Sequence, residues 1–258
     1  MATENYPTYP DLANKVAVVT GGSRGIGAAT CRLLARNGAK VTVGGRDEAA
    51  IDSVVQEIQD SGGEAIGAAA DLTDFAAVER MRRRIEEELG PAEVLAAFAG
   101  GQGYPTPTEQ MAEEQWRSVI DSDLSATFLT VRSFLPGMIE RGRGSIVTMA
   151  SSAARLPSQA SAAYAAAKAG VMMFSKHVAN EVGQHGVRVN CLAPSSVLTE
   201  RVKRLMPQES QRQVAAMHPL GRMGTPEDVG MATLFLASES SSWITGVTLD
   251  VAGGRIIV

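Results

Sequence analysis

The stretch that decides the fold is Val16-Ala17-Val18-Val19 followed by Thr20-Gly21-Gly22-Ser23-Arg24-Gly25-Ile26-Gly27. A short apolar run leads into a glycine-rich turn, and a helical pattern over Ile26–Asn37 follows directly. Glycines let the backbone turn tightly and approach a pyrophosphate, whose charge meets the free N–H groups of the helix N-terminus. An ordinary strand-to-helix turn also tolerates glycines, but this position is the one that nucleotide binding requires.

Apolar runs rich in branched residues alternate with helical patterns along the whole chain, which predicts repeated βα units. The predicted strands are Val16–Val19, Val41–Val43, Ala65–Ala70, Val94–Ala99, Ser145–Met149, Val187–Leu192 and Thr248–Val251. The predicted helices are Ile26–Asn37, Glu48–Asp60, Phe75–Leu89, Leu124–Arg141, Tyr164–Gln184 and Pro226–Ala237. Most strands are apolar throughout, as expected when both faces of a sheet are covered. The pattern predicts an α/β fold: one doubly wound Rossmann domain with a seven-stranded parallel sheet and helices on both faces.

Length and composition narrow the function classes. The 258 residues suit one α/β domain, and the absence of a linker or repeat predicts a single domain over residues 1–258. With 24 basic and 28 acidic residues the net charge is -4, which argues against nucleic acid as a partner. The spacing of Cys31 and Cys191 predicts no disulfide framework and no metal site. The N-terminus lacks a secretory pattern and no apolar run is long enough for a membrane span, so the expected location is the cytoplasm.

The longest stretch without a clear periodic pattern runs from Pro194 to about Gly224. It contains Val202, Leu205 and Met206 at helical spacing. Long loops in compact domains are usually functional, so residues 195–224 are predicted to form a lid over the substrate. The alternative is a surface helix without a function.

Tyr164 and Lys168 stand four residues apart in the helical run Ala162–Gly170, so they lie on one face of the predicted helix. An ammonium beside a phenol stabilises the phenolate, which suits a tyrosine that donates and accepts protons. A surface contact between the two side chains is the simpler alternative. Ser151 lies just beyond a predicted strand, at the sheet edge where α/β active sites form. Ser152 is the alternative serine.

The turn has the spacing G-x-x-x-G-x-G and resembles that of the short-chain dehydrogenase/reductase family, closest to its 3-oxoacyl carrier-protein reductase and carbonyl reductase branch. The resemblance runs from Lys15 to Gly254 and includes the spacing of Ser151 and Tyr164. It implies an oxidoreductase that interconverts a ketone and a secondary alcohol by hydride transfer. Ser151, Tyr164 and Lys168 would be catalytic, and Lys168 would also bind the cofactor ribose. A catalytically weak NADP-binding regulatory or scaffold protein is the alternative.

The cofactor is expected to be NADP. The second strand ends in Gly44-Gly45-Arg46, with no acid to bind a free ribose 2′-hydroxyl. Two guanidiniums, Arg24 and Arg46, suit a 2′-phosphate, although Arg46 could instead pair with Asp47 or Glu48.

The resemblance assigns further residues to the cofactor. These are Gly21, Ser23, Arg24, Gly25, Ile26 and Gly27 in the turn, Asp71 and Leu72 at the adenine, Ala99 and Gly100 after strand four, Tyr164 and Lys168, and Pro194, Val197 and Thr199 after strand six. The chain departs from the family at Ala97-Phe98, which replaces two asparagines, and at Ala252, which replaces an aspartate. Ser195 takes the place of a glycine, and a serine there could restrict the loop.

The largest departure is Asp123, which stands where the family usually has an asparagine that supports proton transfer. An ionised carboxylate accepts hydrogen bonds but cannot donate them, and it would pair with Lys168. Asp123 is therefore a fourth candidate catalytic residue. The alternative is an acid at a helix start that faces away from the site.

The sequence indicates less about the substrate and the oligomeric state than about the cofactor. Gln102, Tyr104, Leu156 and Met206 are candidates to line a pocket for a small carbonyl or alcohol substrate. The cations Arg201, Lys203 and Arg204 would meet an acidic substrate, or simply form a solvated face. The resemblance implies a homotetramer. Small and flexible residues, Ala165, Ala169, Met172 and Met173, would allow close packing of helices between subunits.

Overall fold

The computed structural model describes residues 6–101 and 103–257. Its strands are β1 (Val16–Thr20), β2 (Lys40–Gly45), β3 (Glu64–Ala69), β4 (Ala92–Ala97), β5 (Gly144–Met149), β6 (Val187–Pro194) and β7 (Thr248–Val251). All pair in parallel in one sheet, in the order β3-β2-β1-β4-β5-β6-β7. The strand order reverses between β1 and β4, where a crevice opens at the carboxyl ends of the strands. The predicted doubly wound, seven-stranded α/β fold is confirmed.

Helices cover the sheet. They are α1 (Gly25–Arg36), α2 (Glu48–Asp60), α3 (Phe75–Glu88), α4 (Glu113–Ile120), α5 (Ala126–Arg141), α6 (Ala162–Val182), α7 (Glu200–Leu205), α8 (Gln208–Ala216) and α9 (Pro226–Ala237). The six predicted helices are present with ends shifted by at most two residues. Helix α4 was not predicted. No helix within the described ranges is long and apolar enough to span a bilayer.

Alternate residues of the central strand pack into the two halves of the core. Ala17 and Val19 of β1 contact the layer that contains residues of α1, α2 and α9. Val16 and Val18 contact the opposite layer, with residues of α3, α5 and α6. All four side chains are buried. Burial on both faces explains why the strands are apolar throughout rather than alternating.

Residues 195–224, the lid segment, are not irregular as the sequence indicated, because they contain α7 and α8. The segment is closed at its base by a bridge between Val197 and Gly224. Leu198 N donates to Gly224 O at 2.8 Å, and Gly224 N donates to Ser196 O at 3.0 Å. The two ends of the segment are therefore held together beside the carboxyl end of β6.

Candidate active site

The glycine turn between β1 and α1 is packed so closely that several of its positions have no room for a side chain. A Cβ on Gly27 would lie 2.0 Å from the Gly21 carbonyl oxygen, so no side chain fits there. Gly25, the first residue of α1, has a φ of 52°, a left-handed conformation that favours glycine. Arg24, the N-cap residue, forms no side-chain cap. The turn therefore presents helix N–H groups without an intramolecular cap, which fits a pyrophosphate.

Thr199, assigned to the pyrophosphate by resemblance, lies at this turn. A Cβ on Gly25 would be 3.1 Å from Thr199 Cγ2. Thr199 is also the N-cap of α7, where its Oγ1 accepts a hydrogen bond from Val202 N at 3.3 Å. Its neighbours in the assignment are close by in the chain: Pro194 ends β6 and Val197 forms the bridge to Gly224. The base of the lid segment and the glycine turn thus face each other.

The predicted phosphate-binding arginines occupy different surroundings. The Arg24 guanidinium pairs with the carboxylate of Asp47, and both side chains are mostly in water. Asp47 is at the same time the N-cap of α2, since its Oδ1 accepts from Ala50 N at 3.1 Å. Arg46 forms no ion pair with Asp47 or Glu48 in the described part of the chain, where Asp47 pairs with Arg24. Arg24, and not Arg46, is therefore the partner of Asp47.

Asp71 and Leu72 follow β3 at the same edge of the sheet. Hydrogen bonds from the backbone N–H and the hydroxyl of Thr73 hold the pKa of the Asp71 carboxyl below its ordinary value, and the charge of Arg46 adds to this effect. Leu72 is buried. Arg46 therefore acts electrostatically on the carboxylate of Asp71, which the resemblance assigns to the adenine.

Tyr164 and Lys168 lie on one face of α6, as their spacing predicted. The Ser161 side chain caps the helix and accepts from Tyr164 N at 3.3 Å. Lys168 Nζ lies 5.6 Å from the centroid of the Tyr164 ring. Ser151 is the N-cap of a short 3₁₀ turn, Ser152–Ala154, which packs against α6. Ser151 Oγ accepts from Ala153 N at 3.2 Å and still has a proton to donate.

Lys168 is fixed by two partners that lie on other elements. Its Nζ donates to the Met149 carbonyl at the end of β5, at 3.1 Å. It also forms an ion pair of 3.1 Å with Asp123 Oδ1, and both side chains are buried. Asp123 lies in a π-helical turn, Asp121–Ser125, just before α5. The pairing expected from the sequence is therefore present, and Asp123 faces the site rather than pointing away from it.

The carboxylate of Asp123 also holds the chain after β4. Its Oδ1 accepts from Gly101 N at 2.6 Å, and its Oδ2 accepts from Ser122 Oγ at 2.9 Å. A Cβ on Gly100 would lie 2.6 Å from Asp123 Oδ1, so the backbone approaches this acid as closely as glycine allows. One carboxylate therefore fixes both the ammonium beside Tyr164 and the loop that leaves the strand.

Phe98 and Ala99, where the family has Asn-Ala, keep their backbone hydrogen bonds through a residue that sequence analysis missed. Thr20 Oγ1, at the end of β1, accepts from Phe98 N at 3.1 Å and from Ala99 N at 3.3 Å. The Phe98 ring packs into the apolar layer with α1 and α9. A threonine at the end of the first strand was visible in the sequence, but its partners come from a strand that is distant in the chain.

Ser195 does not strain the loop, contrary to the concern raised by its replacement of a glycine. The one described residue other than glycine with a positive φ is Asn14. Ser195 N donates to Val251 O at 3.2 Å, and its Oγ is 3.0 Å from His218 Nε2. The hydroxyl therefore links β6 to the far end of the lid segment, an anchor that the sequence did not indicate.

The candidate pocket residues are spread more widely than predicted. Gln102 lies outside the described residues. Leu156 is about half exposed, and Met206 lines a cavity of about 580 Å³ bordered by α7 and α8. Gly103 lies against the candidate catalytic residue, since a Cβ there would be 3.2 Å from Tyr164 Cδ1. The segment after β4 is thus the part of the predicted pocket that reaches Tyr164.

Comparison with known proteins identifies the family and agrees with this fold. The family model described as short chain dehydrogenase matches residues 15–210. The chain is 39% identical over 244 residues to the 3-oxoacyl-[acyl-carrier-protein] reductase of Chlamydia muridarum, covering 94% of this chain and 98% of that protein. It is 38% identical over 247 residues to the cis-4-hydroxycyclohexanecarboxylate dehydrogenase of Sinomonas cyclohexanicum, covering 96% and 98%. A crystal structure of a putative gluconate dehydrogenase from Agrobacterium tumefaciens superposes with a TM-score of 0.92 at 31% identity, covering 98% of this chain and 100% of that one.

The fold and the site thus define a dinucleotide-binding oxidoreductase that acts on carbonyl or alcohol groups. The chain belongs to the short-chain dehydrogenase family, in the branch that resembles the 3-oxoacyl carrier-protein reductases.

Proposed function

We propose that this protein is an NADP(H)-dependent oxidoreductase that interconverts a ketone and a secondary alcohol, with Tyr164 as the acid and base. The observation that carries the proposal is the buried Lys168 ammonium, held 5.6 Å from the centroid of the Tyr164 ring. A cation at this position stabilises the phenolate that forms when Tyr164 gives its proton to a carbonyl oxygen. The bound cofactor supplies or accepts the hydride.

Each side chain of the site has a role in this reaction. Ser151 Oγ donates a hydrogen bond to the substrate oxygen, because it accepts from Ala153 N and keeps its own proton to donate. Lys168 orients its ammonium through the Met149 carbonyl and binds the cofactor ribose. Asp123 positions Lys168 and lowers the net positive charge beside Tyr164. Direction follows the ratio of the cofactor forms, since the same tyrosine serves both directions.

The preference for NADP is supported by the end of β2. The strand finishes at Gly45 without an acid, and Arg46 follows it without a carboxylate pair in the described residues. The remaining residues assigned to the cofactor lie beyond the carboxyl ends of three strands: Gly21, Ser23 and Ile26 after β1, Leu72 after β3, and Ala99 and Gly100 after β4. The glycine turn and Thr199 would hold the pyrophosphate.

The substrate class follows from the relatives in outline. One relative is named for the reduction of a 3-oxoacyl group on an acyl carrier protein, and another for the dehydrogenation of a cyclic hydroxy acid. In both reactions one of the two partners is a ketone and the other is a secondary alcohol. We propose a 3-oxoacyl or other carbonyl compound, bound under the lid segment, in a single catalytic domain over residues 1–258. The exposed side chains of Phe128 on α5 and Met173 on α6 support assembly of these helix faces in a homotetramer, and the cytoplasm is the proposed location.

The test is the substitution Tyr164→Phe, assayed by NADPH oxidation with 3-oxoacyl thioesters, simple ketones, and sugar or steroid ketones. The native protein should reduce at least one class, and the variant should lose about 10²–10⁴-fold in kcat. Tyr9→Phe is the matched control, because Tyr9 packs beside α1 in the core, away from α6. NADPH affinity should survive in both variants. Tight NADPH binding by the native protein without turnover of any class would contradict the proposal and favour the regulatory alternative.

A further inference from the structure

A cation and a phenol are in contact beside the candidate active site, and neither of them is a candidate catalytic residue. Arg201 on α7 donates a hydrogen bond from its guanidinium to the hydroxyl of Tyr104, in the segment after β4. The Arg201 Cζ lies 4.9 Å from the centroid of the Tyr104 ring, so the guanidinium also rests against the aromatic face. The two side chains, here called the Arg201–Tyr104 clasp, join segments that are far apart in the chain.

Both segments border the reacting centre. Gly103, next to Tyr104, lies against the ring of Tyr164: a Cβ built on Gly103 would be 3.2 Å from Tyr164 Cδ1. Thr199, two residues before Arg201, lies against Gly25 in the glycine turn. The clasp therefore spans from the segment beside the proton donor to the segment beside the cofactor turn.

Arg201 differs from most cations around it in having no carboxylate partner within the described residues. On the same helix Lys203 pairs with Glu200 at 2.7 Å, and on α8 Arg212 pairs with Glu209 at 3.4 Å. At the end of the lid segment Arg222 pairs with Asp228 at 2.6 Å. The phenol of Tyr104 accepts from Arg201 and so keeps its own proton for another acceptor. The clasp thus presents a positive charge and further donors, which together suit an anion.

We infer that the Arg201–Tyr104 clasp binds a carboxylate carried by the substrate, so that the enzyme prefers carbonyl compounds with a carboxylate at the end remote from the reacting carbon. This inference rests on the proposed function. A guanidinium offers a planar pair of donors that matches a carboxylate, and stacking on Tyr104 fixes the plane. A site that donates hydrogen bonds to a charged group rejects the neutral analogue, because its donors are then left without a partner.

The experiment compares acids with their neutral analogues. The probes are 3-oxobutanoate and 4-oxocyclohexanecarboxylate, the methyl ester of each, and the neutral N-acetylcysteamine thioester of 3-oxobutanoate, all assayed by NADPH oxidation. The native enzyme should show at least a tenfold higher kcat/KM for each acid than for its ester. Arg201→Met should lower kcat/KM for the acids about 10–100-fold, mainly through KM, and change the esters less than about twofold. Tyr104→Phe should lower kcat/KM for the acids by a smaller factor.

Arg212→Met is the matched control, since it makes the same substitution in the same lid segment, at an exposed arginine of α8 that pairs with Glu209, and it should leave the ratio of acid to ester activity unchanged. Equal treatment of acids and esters by the native enzyme, or a preference for the neutral thioester, would overturn the inference and leave the proposed function intact. A parallel loss of acid and ester activity in Arg201→Met would also overturn it.

Calorimetry separates this inference from the proposed function. If the native protein turns over none of the five probes, the proposed function fails for them, and binding is measured on the protein saturated with NADP⁺. Binding of the acids that is at least tenfold tighter than that of the esters, and that is lost in Arg201→Met, would support the clasp as a carboxylate site. Equal or undetectable binding of acids and esters would overturn it.

Discussion

Two ion pairs of this protein join a cation of the candidate site to an aspartate, yet they lie in opposite environments. The side chains of Arg24 and Asp47 are 73% and 46% exposed, whereas those of Lys168 and Asp123 are 2% and 0% exposed. Exposed pairs contribute about 0–1 kcal/mol, so a ligand phosphate can displace Asp47 from Arg24 at little cost. A buried pair cannot be opened without leaving an uncompensated charge in a low-dielectric interior. The first pair suits exchange with a ligand, and the second suits a fixed catalytic geometry.

The largest expected effect is that of breaking the buried pair. Lys168→Met leaves the Asp123 carboxylate buried beside a neutral side chain, which should lower the free energy of unfolding by about 3–5 kcal/mol. It should also lower kcat by about 10²–10⁴-fold, because the phenolate of Tyr164 loses its cation. Urea denaturation and NADPH oxidation measure the two effects.

The double variant Lys168→Met with Asp123→Asn distinguishes the two effects. The amide oxygen of an asparagine can still accept from Gly101 N, so removing both charges should restore most of the stability but none of the activity. If the single variant Lys168→Met is as stable as the native protein, the two charges are not coupled as the structure indicates.

Asp123→Asn tests the electrostatic part of the same pair. An asparagine keeps acceptors for Lys168 Nζ and Gly101 N but removes the negative charge. The positive field at Tyr164 is then stronger, which stabilises the phenolate. Carbonyl reduction should be kept or raised at neutral pH, and the high-pH limb of its rate profile should move to lower pH.

Asp123→Ala is the companion variant, since it removes the hydrogen bonds as well as the charge. It should move the same limb downward and also lower stability, because Gly101 N loses its acceptor. Unchanged pH–rate profiles in both variants would exclude Asp123 from the proton transfer.

At the exposed end of the site, Arg46→Asp should reverse the cofactor preference. The change removes a donor to the 2′-phosphate and places a carboxylate where a free 2′-hydroxyl could bind it. NADPH affinity should fall about 10–100-fold and NADH affinity should rise, as measured by fluorescence titration. A native protein that binds NADH more tightly than NADPH would contradict the assignment.

The smallest effect is expected from Asp47→Asn. Asparagine serves as an N-cap as well as aspartate does, so α2 should keep its start while Arg24 loses its ionic partner. NADPH should bind up to about fivefold more tightly and the free energy of unfolding should change by less than about 1 kcal/mol. NADH is the control ligand, because it lacks the 2′-phosphate. An equal gain for both cofactors would show that Asp47 does not compete with that phosphate.

Local patterns explain the parts of the molecule that sequence analysis predicted well. The strands differ from their predicted bounds by at most two residues, since short branched apolar runs between turns are typical of buried strands. Helices α7 and α8 contain no buried residue, so the helical spacing of Val202, Leu205 and Met206 is not part of a longer apolar stripe that packs on the core. Helix α4 was missed because it is short and buries one residue, Val119. Periodicity detects an element only to the extent that it packs on the core.

The sequence by itself determined the order of the strands and helices, the glycine turn and the shared helical face of Tyr164 and Lys168, because these depend on neighbours within a few residues. Only the tertiary structure decided which distant groups meet. The Met149 carbonyl that holds Lys168 is backbone, which no residue type reveals. Arg24 reaches Asp47 because β1 and β2 lie side by side, and Arg201 reaches Tyr104 because the lid segment folds back toward the end of β4. Side-chain partners of this kind depend on how the crossovers place the strand ends, and that placement is a property of the whole packed sheet.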